Sequence, residues 1–376
     1  MLGNGVLVQV VLIYGPQHIL GGMVAANRKI EDSPKVRRLF VFRQNWLSID
    51  NFKLMAEDCK RILGPGNQDF YPVCESNWVE FMSELEKSIH LEHKAGAKVE
   101  FLFPHDVVTD TVKSIISCLG KARVVCFGDG MGTVFSRNRI VISRLTGIKR
   151  IKKWLAFFFI EKDFLRNVEI FYLMLPVIES KVKGVTAKVQ IPDKISIGRT
   201  IDALCLESKE DMSEFIRTQM DENTAVICLE NLSESRFIEF DTEIQLYIHF
   251  INTLNSKSTR VYLKPHPLQE MPKAALIAAA INDRDVLLLP ESLSRTPVEY
   301  WPLKDFKGTI CSMGVPNISL KYLYDLSVSN PASDEVIREF MENSYQESFF
   351  WVEEQLRRIE LKLENWDGAS ILFVQR

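Results

Sequence analysis

The sequence predicts a two-domain α/β protein, each domain a Rossmann-like unit whose parallel sheet is covered by helices on both faces. Three observations carry this expectation. The chain has 376 residues, long enough that one hydrophobic core is expected to give way to two. Short apolar runs rich in Val, Ile and Phe recur with amphipathic stretches between them, the pattern of buried parallel strands joined by helices. The runs also fall into two sets, separated by a charged stretch at 190–222 that holds Pro192 and Gly198 and suits a connection between domains.

Taken in order, the first set reads as strands at 5–14, 39–43, 99–103, 123–127 and 169–175, with helices at 46–63, 78–94 and 109–118. The second set reads as strands at 225–229, 260–264, 285–289 and 308–311, with helices at 242–255 and 273–280. Residues 333–364 read as a long amphipathic helical region broken near Asn343-Ser344. The expected boundaries are 1–195 for the first domain, 196–222 for a linker and 223–376 for the second domain. Ligands of open α/β sheets bind outside the carboxyl ends of the strands. A pair of such domains is therefore expected to hold its site in a cleft where those ends face each other.

Composition narrows the function classes. A net charge of −3 supplies no broad basic field, so nucleic acid is not expected as a partner. Seven cysteines are scattered, odd in number and never in a CxxC pair, which reads as reduced core thiols in a cytoplasmic protein. No run reaches the roughly 18 apolar residues of a membrane-spanning helix. Residues 1–14 lack the basic start and small-residue cleavage site of a signal peptide and read as a first buried strand. At 149–160 basic residues precede a bulky apolar run, a pattern suited to peripheral contact with a membrane surface; a buried helix or strand with a solvated basic start is the alternative.

Several loops hold residues suited to chemistry. Phe127-Gly128-Asp129-Gly130 follows a strand, and its glycines permit a tight turn and close approach of a ligand to the acid. A plain turn is the other reading of such an Asp. In Lys264-Pro265-His266-Pro267, also at a strand end, the prolines hold one imidazole in a rigid loop. Histidine titrates near neutrality, so this ring is suited to giving a proton or to stabilising a phosphate as a cation; a capping role is the alternative. Ser312-Met313-Gly314 closes another strand. A helix starting after it, near 318–326, would offer backbone N–H groups and the Ser312 hydroxyl to an anion. Glu299, in Pro297-Val298-Glu299, is a carboxylate able to hold two ribose hydroxyls, or a surface charge. Gln17 and His18, after the first strand, are candidate acceptor contacts, and His105 closes another strand. His90 and His93 lie three apart on an expected helix without the further ligands a metal needs, so no metal site is expected.

In their order along the chain these pieces resemble bacterial GT-B sialyltransferases, in particular the polysialyltransferase-like and lipooligosaccharide sialyltransferase group. Asp129-Gly130 resembles that group's acid-Gly motif and His266-Pro267 its His-Pro motif. Glu299 resembles its glutamate, and Ser312 its serine or threonine motif. The stretch 227–247 is similar to the start of the group's second domain, and 15–20 to its acceptor-side loop. Gly128 stands where these families often carry a second acid, and Met313 follows Ser312 in place of a second hydroxyl residue.

The resemblance implies a GT-B fold and an inverting, metal-independent transfer of sialic acid, or a related nonulosonic acid, from its CMP-activated donor to a hydroxyl of a bacterial capsular or lipooligosaccharide glycan. It implies Asp129 as general base, with His266 and Ser312 at the donor phosphate. Lys264, Pro267, Glu299, Met313 and Gly314 would join them on the donor side, and Gln17, His18, Gly128 and Gly130 would lie on the acceptor side. No cofactor is implied beyond the donor itself. The implied location is the cytoplasm, with 149–160 at the inner face of the inner membrane. Two other readings remain at this point: a GT-B enzyme or epimerase using a UDP- or GDP-sugar, and a non-catalytic glycan-binding scaffold.

Overall fold

A computed structural model describes residues 6–28, 35–44, 47–64, 68–104, 109–128, 148, 151, 168–175, 177–179, 188–234, 237–254, 258–266, 273–313, 315–326, 328–341, 343–364 and 372–374. The chain divides into two compact units, one of residues 1–205 with 368–376, the other of residues 206–367.

The first unit begins with β1 (Val6–Ile13), whose β-branched run is buried almost throughout. It continues through α1 (Gln17–Ala26), β2 (Lys35–Arg43), α2 (Ile49–Leu63), β3 (Gln68–Val73), α3 (Trp78–Lys94), β4 (Lys98–Pro104), α4 (Thr109–Leu119) and β5 (Arg123–Phe127). After these come β6 (Ile170–Tyr172), β7 (Val177–Glu179), β8 (Lys188–Gln190) and α5 (Lys194–Ala203). The sheet runs β3-β2-β1-β4-β5-β6-β8, and its pairs are parallel. Connections lead outward from β1 in both directions, so the strand order reverses between β1 and β4. Val8, Val10, Leu12, Val41, Phe101, Phe103 and Cys126 fill the core on one face. Local signals set the helix ends. Ser48 caps α2 by accepting the Asn51 N–H, and Gly64 closes it at φ 69°, a left-handed conformation that glycine adopts without a Cβ clash.

The second unit holds α6 (Leu206–Gln219), β9 (Thr224–Cys228), α7 (Phe240–Thr253), β10 (Arg260–Lys264), α8 (Lys273–Ala279), β11 (Asp285–Leu288) and the short α9 (Glu291–Ser294). It ends with β12 (Thr309–Cys311), α10 (Val315–Tyr324), β13 (Val328–Ser329), α11 (Asp334–Phe340) and α12 (Asn343–Glu364). Its parallel sheet runs β11-β10-β9-β12-β13. The order reverses between β9 and β12, which places this unit's switch-point crevice beside the carboxyl ends of those two strands. The core is built on Ala225, Ile227, Val261 and Leu263 from the sheet, with Leu246, Phe250 and Ile277 from the helices.

The α/β class with two parallel sheets is as the sequence predicts, and the break near residue 343 separates α11 from α12. The connection differs from expectation. The stretch 196–222 is mostly helix, in α5 and α6, rather than an open linker. Asp193 caps α5 by accepting the Ser196 N–H at 2.7 Å. Ile197 and Ile201 in α5, and Met212 and Ile216 in α6, are buried. These pairs are spaced four apart, so their charged neighbours sit on solvated faces. The far end differs too: β14 (Leu372–Val374) pairs with β7 and belongs to the first unit. Among the described residues no helix is long and apolar enough to cross a membrane. The basic and apolar run at 149–160 lies outside the described residues apart from Ile151, which is exposed.

Candidate active site

In the second unit the strand register gathers the candidate donor residues. Cys228 of β9 pairs with Lys264 of β10, so Glu230 and His266 each lie two residues beyond the same rung. Ile227 pairs with Cys311 of β12, which brings Ser312 to the same end of the sheet. Neighbouring strands are about 4.8 Å apart, so Glu230, His266 and Ser312 belong to one rim.

Lys264 is the charge at the centre of this rim. It is buried, and its ammonium donates to the Ser294 carbonyl at 3.0 Å. Its field acts on Cys228, Glu230, His266 and Glu299. Glu299 sits on a single 3-10 turn, Val298–Tyr300, that follows Pro297. The turn is fastened from outside, because the Tyr324 hydroxyl of α10 donates to the Glu299 carbonyl at 2.6 Å. Burial raises the Glu299 carboxyl above the usual carboxylate range, and Lys264 only partly offsets this.

His266 differs from its expected charge state. Burial, and then the charges of Lys264 and Lys273, push its pKa down to about 3. The imidazole is therefore neutral near pH 7 when no ligand is bound, and it offers one N–H rather than a cation. The sequence could not reveal this, because the ring's solvation and the nearby position of Lys273 are set by tertiary packing.

Ser312 is 1% exposed, and its Oγ finds no hydrogen-bond partner among the described residues. Asn317 in α10 donates its Nδ2 to the Ser312 carbonyl at 2.7 Å, while its own Oδ1 is buried without a partner among the described residues. Two buried polar atoms are thus left open where α10 begins, and a helix N-terminus favours an anion. The expected helix after Ser312 is present but starts earlier, at Val315. Met313 corrects the sequence reading: its side chain is buried in the hydrophobic core of the unit, so only its backbone is available to a ligand. Pro267 and Gly314 lie outside the described residues.

Sequence reasoning missed the residues that hold this rim in place. Lys273 and Glu243 are wholly buried and paired at 2.6 Å, and Lys273 also reaches Glu234 at 2.9 Å. Glu243 accepts the N–H groups of Leu232 and Ser233. The Glu230 N–H donates to Tyr247 Oη at 2.6 Å, and Lys273 donates to the Glu230 carbonyl at 3.5 Å. The loop after β9 is therefore pinned to α7 and α8. Glu230 itself had one legible signal, an acid at the carboxyl end of an apolar strand.

In the first unit, Asp129 and Gly130 lie outside the described residues, as does His105. What leads up to them is well defined. Gly128 is buried, and its N–H donates to the Tyr172 carbonyl at 2.9 Å. Gly21 in α1 faces this turn: a Cβ there would come within 2.7 Å of the Gly128 carbonyl and 3.0 Å of the Phe127 ring. The glycine lets α1 close onto the end of β5. His18 is buried and accepts the Tyr14 N–H on Nδ1 at 3.0 Å, so it braces the turn after β1. Gln17 is the exposed member of the pair. His93 Nε2 lies 3.2 Å from the Leu119 carbonyl at the end of α4, a structural contact. Among the described residues no group of His, Cys, Asp and Glu is arranged to hold a metal ion.

A model of the alpha-2,8-polysialyltransferase family matches residues 98–301, more than half of the chain. No curated protein sequence matches. Similar solved structures are distant in sequence. A UGT transferase from Siraitia grosvenorii in complex with UDP shares 9% identity over 97% of each chain, with a TM-score of 0.45. A UDP-GlcNAc 2-epimerase from Neisseria meningitidis shares 8% identity over 97% of this chain and 94% of its own, with a TM-score of 0.46. A glycosyl transferase family 9 protein from Veillonella parvula shares 10% identity over 96% of this chain and 99% of its own, with a TM-score of 0.38.

Proposed function

The chain belongs to the alpha-2,8-polysialyltransferase family, and on that premise we propose that it transfers sialic acid, or a related nonulosonic acid, from a CMP-activated donor to a glycan hydroxyl of a bacterial surface polysaccharide or lipooligosaccharide. The observation that supports this most is the rim of the second unit, where His266 and Glu299 lie in the field of the buried Lys264 and the Ser312 hydroxyl, at the same end of the sheet, has no partner among the described residues.

In this reading the second unit takes the nucleotide. The donor phosphate lies against the N-terminus of α10, where backbone N–H groups and the Ser312 hydroxyl meet its oxygens. The neutral imidazole of His266 adds an N–H bond. Glu299 accepts hydrogen bonds from the ribose hydroxyls. The first unit takes the acceptor, with Asp129 as general base and Gln17 on the acceptor side. The acceptor hydroxyl attacks the anomeric carbon as Asp129 removes its proton, and CMP departs from the opposite face, which inverts the centre. Protein groups meet the phosphate charge, so the reading calls for no divalent metal.

Nucleotide preference tests the reading. CMP is expected to raise the melting temperature by selective binding to the folded state, and UMP, UDP and GDP are expected to do so far less. Selective stabilisation by UDP or GDP would overturn the CMP donor. Absence of stabilisation by every nucleotide would point to a scaffold without a donor.

A further inference from the structure

The 3-10 turn that carries Glu299 is not held by its own backbone alone. It is three residues long, Val298–Tyr300, and lies between Pro297 and Pro302. The Tyr300 N–H donates to the Pro297 carbonyl at 2.9 Å, and the Trp301 N–H to the Val298 carbonyl at 3.2 Å. A longer turn would bring the N–H of residue 302 to the Glu299 carbonyl. Trp301 is already extended, however, and residue 302 is a proline, which has no N–H. The Glu299 carbonyl takes its bond from another element instead, from Tyr324 Oη at 2.6 Å. Apolar packing fixes the other side of the turn. Val298, Tyr300 and Trp301 are buried, and the Trp301 indole donates to the Thr296 carbonyl at 3.2 Å.

Tyr324 is the last residue of α10. Near the start of the same helix, Asn317 is bonded to the carbonyl of Ser312, the residue that follows β12. The two anchor points stand about 10 Å apart along the helix axis. Between them Lys321 ties α10 to α12 through Glu360 and Glu364, each at 2.7 Å, and Ile318, Leu320 and Tyr322 are buried. The helix is therefore a fixed bar with Ser312 at one end and the Glu299 turn at the other. We propose that Tyr324 is a positioning residue of the donor site, whose hydroxyl holds the Glu299 turn so that the carboxylate meets the ribose hydroxyls at a set distance from the phosphate. The site then selects a ribonucleoside 5′-monophosphate group as one unit. This rests on the reading of the second unit as the CMP-binding one, with Glu299 at the ribose.

Tyr324 acts through the backbone and does not touch the nucleotide. Its bond sets the direction in which the Glu299 side chain leaves the turn. A carboxylate that accepts two neighbouring hydroxyls needs both oxygens in place, because a hydrogen bond weakens steeply with distance and angle. A binding group on so short a turn keeps that placement only if the turn itself is locked. Removing the Tyr324 hydroxyl takes the donor from the Glu299 carbonyl and leaves the turn its two internal bonds. The loss falls on the ribose, while Ser312 and the N-terminus of α10 remain for the phosphate. The ribose does not react, so its contacts are the same in the ground state and the transition state. Their loss appears in the donor KM and leaves kcat nearly unchanged.

Calorimetric titration of the full chain with CMP and with 2′,3′-dideoxy-CMP tests this, using the wild type, Tyr324→Phe, Glu299→Ala and the double variant. The wild type is expected to bind CMP more tightly than the dideoxy nucleotide. Tyr324→Phe is expected to weaken CMP about tenfold and to leave dideoxy-CMP as in the wild type. On top of Glu299→Ala the same change is expected to cost under about twofold, because the carboxylate it positions is gone. With CMP-sialic acid, Tyr324→Phe raises the donor KM about tenfold and keeps kcat near wild type. If Tyr324→Phe binds CMP as the wild type does, or weakens both nucleotides alike, the proposal is overturned while the functional reading stands. A Tyr324→Phe chain that fails to fold makes the hydroxyl a structural strut and overturns it as well. A wild type that binds the two nucleotides equally removes Glu299 from the ribose, and the proposal with it. One that binds neither overturns the CMP reading too.

Discussion

Replacing Lys273 with Met gives the sharpest view of how packing serves the site. Lys273 and Glu243 are both wholly buried, and their charged atoms are 2.6 Å apart. The Met side chain fills similar volume but removes the ammonium. Glu243 would then remain buried with only the Leu232 and Ser233 N–H groups as partners, and Glu234 would lose its contact as well. Removing one partner of a buried pair costs about 3–5 kcal/mol. In a unit of this size 1 kcal/mol moves the melting temperature by roughly 2–4 °C, so the second unit is expected to melt about 10 °C earlier. Calorimetry reads this directly, and the transition of the first unit serves as the internal control. A Lys273→Met/Glu243→Gln double variant should recover part of the loss, because the stranded charge is gone. A loss under about 1 kcal/mol, or a double variant as damaged as the sum of its singles, would refute the idea that this pair holds the loop carrying Glu230.

Further outcomes follow from the same residues. His266 has a folded pKa of about 3 against an ordinary 6.5. The unfolded chain therefore binds the extra proton between those values, and the contribution of His266, complete above about 6.5, is lost as the pH falls toward 3. Glu230 runs the other way: raised from 4.5 to about 7, it contributes most below 4.5 and loses that contribution as the pH rises through 7. Urea unfolding across pH should show a flatter acid side for His266→Asn and a flatter neutral side for Glu230→Gln; unchanged slopes would contradict the assigned charge states. Ser312→Ala removes a hydroxyl that has no partner among the described residues. It is expected to cost under about 1 kcal/mol of stability while weakening CMP binding about tenfold, as calorimetric titration can read.

Elements with a strong local signal were legible in the sequence. The strands at Arg123–Phe127 and Arg260–Lys264 and the helix at Trp78–Lys94 have the expected bounds, because each is an apolar run or a periodic stretch with clear breakers. The misses have physical causes. β3 carries Pro72 and charged neighbours, which argue against a central strand, and it is indeed the edge of its sheet, where proline is tolerated. α1 is buried on almost every side, so it lacks the polar face that marks a helix. The 190–222 stretch was judged by its charges, although its apolar residues keep helical spacing. In the site, rigid loops at strand ends pointed to His266, Glu299 and Ser312. The neutral state of His266, the core position of the Met313 side chain and the Lys273–Glu243 pair depend on contacts between distant elements. Glu230 looks ordinary until β10 and β12 are laid beside it.

The central claim is sialyl transfer with Asp129 as the base. The most direct measurement compares the wild type with Asp129→Asn for transfer from CMP-sialic acid to a sialylated glycan acceptor, with CMP affinity measured alongside. Loss of a general base predicts a fall of about 100-fold or more in transfer, with CMP binding retained because the residues proposed to hold the nucleotide lie in the other unit. A folded Asp129→Asn protein that transfers at a rate near wild type would contradict the account.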